Sequence, residues 1–352
     1  MWNYQTEIYN WLQDKNLGGK NNTGIIVITG PTASGKTGIS IEIAQFLKEK
    51  GILAEIINAD SRQIYTDLPI TVAVPTQQER EGFSHHLFEY ISPDKTYNVA
   101  EWRDDVIAKI TEIQVRKSVV IICGGTGLWI DALTKNFTLG VEPNEEFRKI
   151  YTQKTEEELY AELLKKDKNQ AEKLGKNKKY LIRALEICEK LGNKTDYAVE
   201  SKSPYNFFMM GVTWEREKLY ERINQRNEIM FEAGFLEEAD AFAKKFLKNT
   251  LNIKTGYKSQ PNLTDINNND CGFIAHGIPE YIQFRNGELS LEELKDTMKQ
   301  HTRNYAKRQL TWWRKDKRVR FLNRETGEEI DLNKKSEKTE QGRGKKNTKF
   351  LY

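Results

Sequence analysis

Cysteine is scarce: only Cys123, Cys188 and Cys271 occur in 352 residues, at uneven spacing. Neither a disulfide framework nor a zinc site is suggested by that pattern. There are only four histidines, and the pair His85-His86 has no clustered Cys, Asp or Glu at metal-ligand spacing, so it reads as structural or hydrogen-bonding. No run approaches the ~18 consecutive apolar residues of a membrane-spanning helix. Met1 to Asn22 also lacks the apolar core of a secretion signal. A soluble, cytoplasmic and monomeric protein with no membrane partner is expected. The net charge is only +4, so any surface for nucleic acid must be local. The length permits one large domain or two smaller ones.

What is present centres on residues 30–37. Gly30-Pro31-Thr32-Ala33-Ser34-Gly35-Lys36-Thr37 fits G-x-x-x-x-G-K-[ST] in full, after the apolar run Ile25 to Thr29 and before an amphipathic helical pattern. The two glycines let the backbone curl so that successive N–H groups face an anion, and the following helix adds the positive end of its dipole. Lys36 supplies a point charge for a terminal phosphate, and the Thr37 hydroxyl suits Mg²⁺. Which phosphate compound is held is left open by the loop alone.

The surrounding pattern alternates strand and helix, which gives an α/β class. Ile39, Ile43, Phe46 and Leu47 repeat at helical spacing, Gly51 ends that helix, and Ala54 to Ala59 reads as a second strand. Asp60-Ser61-Arg62-Gln63 follows at its carboxyl end. In an open parallel sheet that edge faces the ligand crevice, which puts Asp60 beside the phosphate loop; a helix cap is the plainer reading. After Leu68 to Pro75 and His85-His86-Leu87-Phe88, Val99 to Val115 reads as helix and Ser118 to Cys123 as a buried strand. That strand runs into Gly124-Gly125-Thr126-Gly127-Leu128-Trp129. A motor-type or GTP-hydrolysing protein would usually carry an acid at such a strand end to hold Mg²⁺, and Cys and Gly stand there instead. ATP hydrolysis is disfavoured accordingly.

Composition changes after Phe137. Residues 138–203 are charged and helical, with a capping box at Thr155-Glu156-Glu157-Glu158 and apolar faces at Leu159 and Leu163 and at Leu181, Ala184, Leu185 and Cys188. Phe207 to Thr213 returns to strand, and the helix from Glu215 to Ala233 carries Arg222 and Arg226 on one face. Such a pair suits pyrophosphate and equally suits salt bridges with Glu221 or Glu228. Residues 259–270 read as a loop. Leu291 to Arg318 reads as a long helix in which Arg303, Lys307, Arg308, Arg314, Lys315, Lys317 and Arg318 interleave with Tyr305, Trp312 and Trp313. Cations can neutralise phosphates while aromatic faces stack on unpaired bases; a solvated basic helix with its aromatics in the core is the rival. The expected organisation is an extension at 1–23 (a short helix outside the core, then a linker), a phosphate-loop core at 24–137, a helical insertion at 138–203, the rest of the core with the basic helix at 204–325, and a basic, disordered tail at 326–352.

Five motifs now coincide in one order: residues 30–37, Asp-Ser-Arg-Gln-Ile-Tyr at 60–65, Gly-Gly-Thr-Gly-Leu-Trp at 124–129, Leu-Ile-Arg-Ala-Leu-Glu at 181–186 and Tyr-Ala-Lys-Arg-Gln-Leu-Thr-Trp-Trp-Arg at 305–314. Together, over roughly residues 24–320, they resemble the tRNA dimethylallyltransferase family. The resemblance implies a P-loop NTPase-like parallel sheet flanked by helices, with a small all-helical domain inserted. It further implies transfer of the dimethylallyl group of dimethylallyl diphosphate to N6 of the adenosine at tRNA position 37, with Mg²⁺ as cofactor and the anticodon stem-loop as partner. Carried over residue by residue, Asp60 is the general base, while Lys36, Thr37 with Mg²⁺, and Arg226 neutralise the departing pyrophosphate, with Arg222 as a weaker candidate beside the loop residues 30–37. Asp60, Ser61, Arg62, Gln63, Thr126, Arg148, Lys179, Tyr180, Leu181, Ile182, Arg183, Lys307, Arg308, Gln309, Leu310, Thr311, Trp312, Trp313 and Arg314 fall on tRNA-contacting positions.

Three departures mark this chain. Trp129 replaces the usual Tyr, and Leu68 to Pro75 replaces a commoner Asp-Ile-Gly-Thr-Ala-Lys-Pro, which leaves Val74 in place of a basic residue. The usual Gly-Tyr-Lys element corresponds either to Gly256-Tyr257-Lys258 or to His276-Gly277-Ile278-Pro279-Glu280, the second being favoured by its distance to the next helix. Two other functions fit parts of the pattern: a phosphate-loop kinase of a nucleotide or small metabolite, and a nucleotide-sensing RNA-binding protein.

Overall fold

The computed structural model describes residues 1–14, 24–137, 141–192, 202–247, 275 and 277–333. The chain runs α1 (Tyr4–Asp14), β1 (Gly24–Thr29), α2 (Lys36–Glu49), β2 (Ala54–Asn58), β3 (His85–His86), α3 (Val99–Val115), β4 (Val119–Cys123) and α4 (Gly127–Thr134). Four short helices follow, α5 (Glu145–Tyr151), α6 (Glu156–Lys166), α7 (Lys168–Leu174) and α8 (Lys178–Leu191). The remainder is β5 (Asn206–Thr213), α9 (Arg216–Glu232), α10 (Phe235–Phe246), α11 (Ile278–Arg285), α12 (Leu291–Trp313), β6 (Arg320–Asn323) and β7 (Glu329–Ile330). It folds as two compact units, one made of 1–96, 109–127 and 207–352, the other of 97–108 and 128–206.

The first unit is built on a seven-stranded sheet of order β3-β2-β4-β1-β5-β6-β7. Its β2–β3, β2–β4, β1–β4 and β5–β6 pairs are parallel, and β6–β7 is antiparallel. β1, β2 and β4 are buried along their whole lengths, as strands in a sheet covered on both faces must be; β1 and β4 are mostly apolar, and β2 also buries Glu55 and Asn58. Cys123 pairs with both Ile28 and Asn58, so the carboxyl ends of β1, β4 and β2 lie level. The chain leaving those three strands carries the phosphate loop, Gly124–Gly127 and Asp60 to one edge of the sheet. That is the edge at which open parallel sheets bind ligands.

Three features differ from the sequence reading. Ile8 and Leu12 of α1 are fully buried in the cluster that holds Ile28, Ile39, Ile56 and Met210, so this helix is part of the core and not outside it. Their i, i+4 spacing puts both on one face, and each such side chain contributes roughly 1.5–3 kcal/mol on burial. β7 lies within the stretch expected to be a disordered tail, where it closes the sheet against β6. The long basic helix ends at Trp313, and residues to Arg318 turn back into β6. The expected loop at 259–270, Gly256-Tyr257-Lys258, the linker at 15–23, His276 and residues beyond 333 lie outside the described residues. Gly277 caps α11, whose Glu280 carboxylate accepts the Gly277 N–H at 2.8 Å.

His85 and His86 form β3 at the sheet edge, and His86 Nε2 lies 2.8 Å from Glu55 Oε2. Arg116 binds the same carboxylate through Nε (3.0 Å) and Nη2 (2.8 Å). Burial would push the Glu55 carboxyl up, but the bonds from Arg116, His86 and Ser118 overcome it and hold the group down at about 2. The hydrogen-bonding reading of this histidine pair therefore holds.

In the second unit, α6 to α8 pack Leu159, Leu163, Leu181, Leu185 and Cys188 into their own core. Asn144, Thr155, Asp167 and Asn177 cap the four helix starts with side-chain oxygens, each accepting from a backbone N–H. The unit also takes in residues 97–108 and 128–137, which the composition change at Phe137 does not reveal; Trp102 stacks on Trp129 at 4.9 Å and joins the two stretches. The Glu186 side chain, 1 % exposed, accepts from Arg148 Nε and Nη2 (both 3.0 Å), Arg183 Nη1 (2.5 Å) and the Asn144 amide (2.6 Å). Burial works against its charge, and these four donors outweigh burial and lower its pKa. Among the described residues, no helix is long and apolar enough to cross a membrane.

Candidate active site

The loop between β1 and α2 takes its shape from backbone that only glycine adopts readily. Gly30 has φ 141°, and a Cβ there would lie 2.2 Å from the Val212 carbonyl oxygen, so no larger residue fits. Gly35, the residue before α2, offers no side-chain cap. The amide donors of the first turn of α2 therefore gain no cap from that position and suit an anion.

Side chains of the motif itself and of distant elements bind the carbonyls of this loop. Pro31 O accepts from Lys36 Nζ (2.8 Å), Ala33 O from Arg222 Nε (3.0 Å) and Ser34 O from Trp214 Nε1 (2.9 Å). Arg226 donates to the Thr32 hydroxyl at 3.1 Å, and the Arg222 guanidinium lies 4.5 Å over the Trp214 ring. The alternative of surface salt bridges for this arginine pair is not what the structure shows: among the described residues neither arginine, nor Lys36, forms an ion pair with a carboxylate. Burial pushes the Lys36 ammonium below its usual range, with Asp60 opposing. Burial likewise lowers the Arg226 pKa against the pull of Asp60.

These groups line a cavity of about 990 Å³ together with Thr37, Asp60, Arg62, Gln63 and Tyr305. Apolar lining comes from Val72, Val74 and Met298, which belong to one buried cluster with Leu68, Phe235 and Ile278. The departure at Leu68 to Pro75 thus has a physical meaning: Val74 is only 9 % exposed, and a cation there would need a partner. Asp60 Oδ1 accepts the Arg62 amide (3.0 Å) in a turn that starts no helix, so the helix-cap reading of Asp60 fails.

Thr126 holds the chain after Asp60. Its hydroxyl accepts from the Ser61 amide (2.9 Å) and lies 3.2 Å from the Ser61 hydroxyl, while its own amide donates to Ala59 O (3.1 Å). Gln63 donates to Ala73 O at 2.6 Å, tying the 68–75 segment to the same wall. Burial raises the Tyr305 pKa, with the Asp60 charge adding to it, so its hydroxyl stays protonated.

Several residues expected at an RNA surface lie in the core or in ion pairs. On α12, Lys307, Arg308, Thr311 and Trp312 are exposed, as is Arg314 just after it, but Gln309 and Trp313 are buried and Leu310 packs against Leu219 and Ile223. The helical period puts the two sets on different faces. In the second unit Lys179 and Tyr180 are exposed, whereas Leu181 and Ile182 are core, and Arg148 and Arg183 are bound to Glu186. The sequence reading missed Trp214, which follows β5 and carries no motif, and the place of Tyr305 in the cavity wall.

A family model described as IPP transferase matches residues 63–316 of this chain. The tRNA dimethylallyltransferase of Pelotomaculum thermopropionicum is 35 % identical over 306 residues, 85 % of this chain and 90 % of that protein. Among solved structures, the full-length tRNA isopentenylpyrophosphate transferase of Bacillus halodurans aligns with a TM-score of 0.58 at 33 % identity, covering 86 % of this chain and 90 % of that one. A eukaryotic dimethylallyltransferase acting on tRNA aligns with a TM-score of 0.71 at 26 % identity, covering 86 % of this chain and 74 % of that one.

Proposed function

The chain belongs to the IPP transferase family of tRNA dimethylallyltransferases, and from that premise we propose how its cavity performs the transfer. It is a tRNA-modifying prenyltransferase; the kinase alternative has no support in its relatives. The donor is dimethylallyl diphosphate, and the acceptor is N6 of the adenosine at position 37 in the anticodon stem-loop.

In this reading the diphosphate lies in the 30–37 cradle. As the allylic C–O bond breaks and the N6–C bond forms, negative charge moves onto the departing diphosphate. Lys36, Arg222 and Arg226, held by neutral oxygens, meet that charge. Asp60 accepts the proton released from N6. Thr126 and Ser61 fix the backbone beside Asp60, where an extruded adenine would enter. The exposed cations of α12 suit the phosphates of the stem-loop, and the enzyme is proposed to act as a monomer in the cytoplasm.

Mg²⁺ fits the donor set. Thr37 lines the cavity, where its hydroxyl would serve as a hard oxygen ligand, and no group of three His, Cys, Asp or Glu among the described residues forms a cage. A site of this kind suits a cation that keeps its waters and takes its other ligands from substrate phosphates. When bound, Mg²⁺ would supply further charge neutralisation on the diphosphate.

The observation that carries this reading is the set of three cations without carboxylate partners, lining one cavity with Asp60. Incubating the enzyme with unmodified tRNA and labelled dimethylallyl diphosphate, with and without Mg²⁺, tests it. Mg²⁺-dependent label in tRNA is expected; turnover of ATP with a small acceptor and no label in tRNA would overturn it.

A further inference from the structure

Gln309 lies in the middle of the basic helix α12, yet its side chain is 5 % exposed and makes two long-range bonds. Its Oε1 accepts the Thr32 amide at 2.8 Å, and its Nε2 donates to the Gly125 carbonyl at 3.0 Å. The orientation of the amide is fixed by its partners, because a backbone N–H can only donate and a carbonyl can only accept. One side chain therefore ties the phosphate loop to the Gly124–Thr126 turn. The approach is close: a Cβ on Gly125 would lie 2.2 Å from Gln309 Nε2.

The two tethered segments have different tasks in the function proposed above. Thr32 belongs to the cradle, and its hydroxyl carries Arg226. Gly125 precedes Thr126, which holds Ser61 next to Asp60. The helix that supplies the tether presents Lys307, Arg308 and Thr311 to solvent within two residues of it. Glutamine suits this position because it offers both a donor and an acceptor at the end of one uncharged chain.

We propose that Gln309 is a positioning residue that sets the donor cradle and the base-side turn in register from the helix bearing the RNA-facing cations. The inference rests on the prenyltransferase reading for its catalytic half and on geometry alone for its anion-binding half.

Two variants test the tether. Gln309→Met has similar length and loses both bonds, leaving a half-buried N–H and a buried C=O unpaired. Inorganic pyrophosphate affinity, measured by calorimetry with Mg²⁺, should fall on the order of 10-fold. The single-turnover transfer rate should fall about 100-fold, while tRNA affinity stays at the wild-type value. Gln309→Glu keeps the acceptor for Thr32, loses the donor to Gly125 and brings a negative charge to the anion cradle, so pyrophosphate affinity should fall at least as far as in Gln309→Met, and transfer with it. Both variants behaving as wild type would overturn the proposal. So would pyrophosphate affinity, tRNA affinity and rate all falling in step with melting temperature, the mark of a residue that only supports the core. Wild-type enzyme that transfers no label to tRNA would overturn the prenyltransferase reading instead, and the pyrophosphate titrations would still decide the anion-binding half.

Discussion

Arg226 and Arg148 carry the same guanidinium in opposite company. In the first unit Arg226 rests on the Thr32 hydroxyl, Arg222 on the Ala33 carbonyl and Lys36 on the Pro31 carbonyl. In the second unit Arg148 and Arg183 both close on the buried carboxylate of Glu186. A cation held by a neutral oxygen is positioned with its charge uncompensated, and an anion entering the cavity completes it. A cation closed on a carboxylate is already complete and serves the fold. On the function proposed above, the type of partner, more than the presence of the cation, separates binding residues from structural ones.

Removing the carboxylates tests this division most severely. Asp60→Asn should slow transfer by about 10²–10⁴-fold with tRNA affinity and melting temperature nearly intact, since its part is to accept a proton. Parallel losses of rate, binding and stability would place it with Glu186. Glu186→Leu should do the reverse and lower unfolding free energy by about 3–5 kcal/mol, because it leaves two guanidiniums without their counter-charge. Urea denaturation measures it, and the rate per folded molecule should hold.

Glu55 sharpens the comparison through pH. Its carboxyl sits at about 2 in the folded state, below the ordinary 4.5, because Arg116 and His86 outweigh burial. A depressed carboxyl contributes stability that is fully present above about 4.5 and is lost as pH falls towards about 2. Wild type should therefore lose about 2–3 kcal/mol across that interval, and Glu55→Gln should show a flatter acid limb in urea titrations. The smallest effect belongs to the exposed face of α12. Lys307→Ala should weaken tRNA binding a few-fold and reduce the salt slope by about 1; an unchanged slope would remove Lys307 from the interface.

What could be read from the chain follows the range of the interactions. The phosphate loop is one contiguous motif, β1 and β4 are apolar runs and β2 holds Ile56-Ile57, so the strand pattern and the parallel-sheet rule are enough to place Asp60 at the loop. β3, β6 and β7 are two to four residues long and leave too little pattern to see. The helical period of α12 already held a signal: 306, 309 and 313 fall on one face, and all three are buried. Interleaved cations and aromatics hid that division. The bond from Gln309 to Thr32 spans 277 positions, and those from Arg222 and Arg226 to the loop span 189 and 194. No local pattern encodes which oxygen a distant side chain will meet.

The most direct measurement is a calorimetric titration of Mg²⁺-pyrophosphate into wild type, Arg226→Gln and Arg148→Gln, each well below its melting temperature. Arg226→Gln should bind on the order of 10-fold more weakly, and folded Arg148→Gln should bind as wild type does. Equal affinities for all three, or a loss confined to Arg148→Gln, would contradict the division between cations that wait for an anion and cations that already have one.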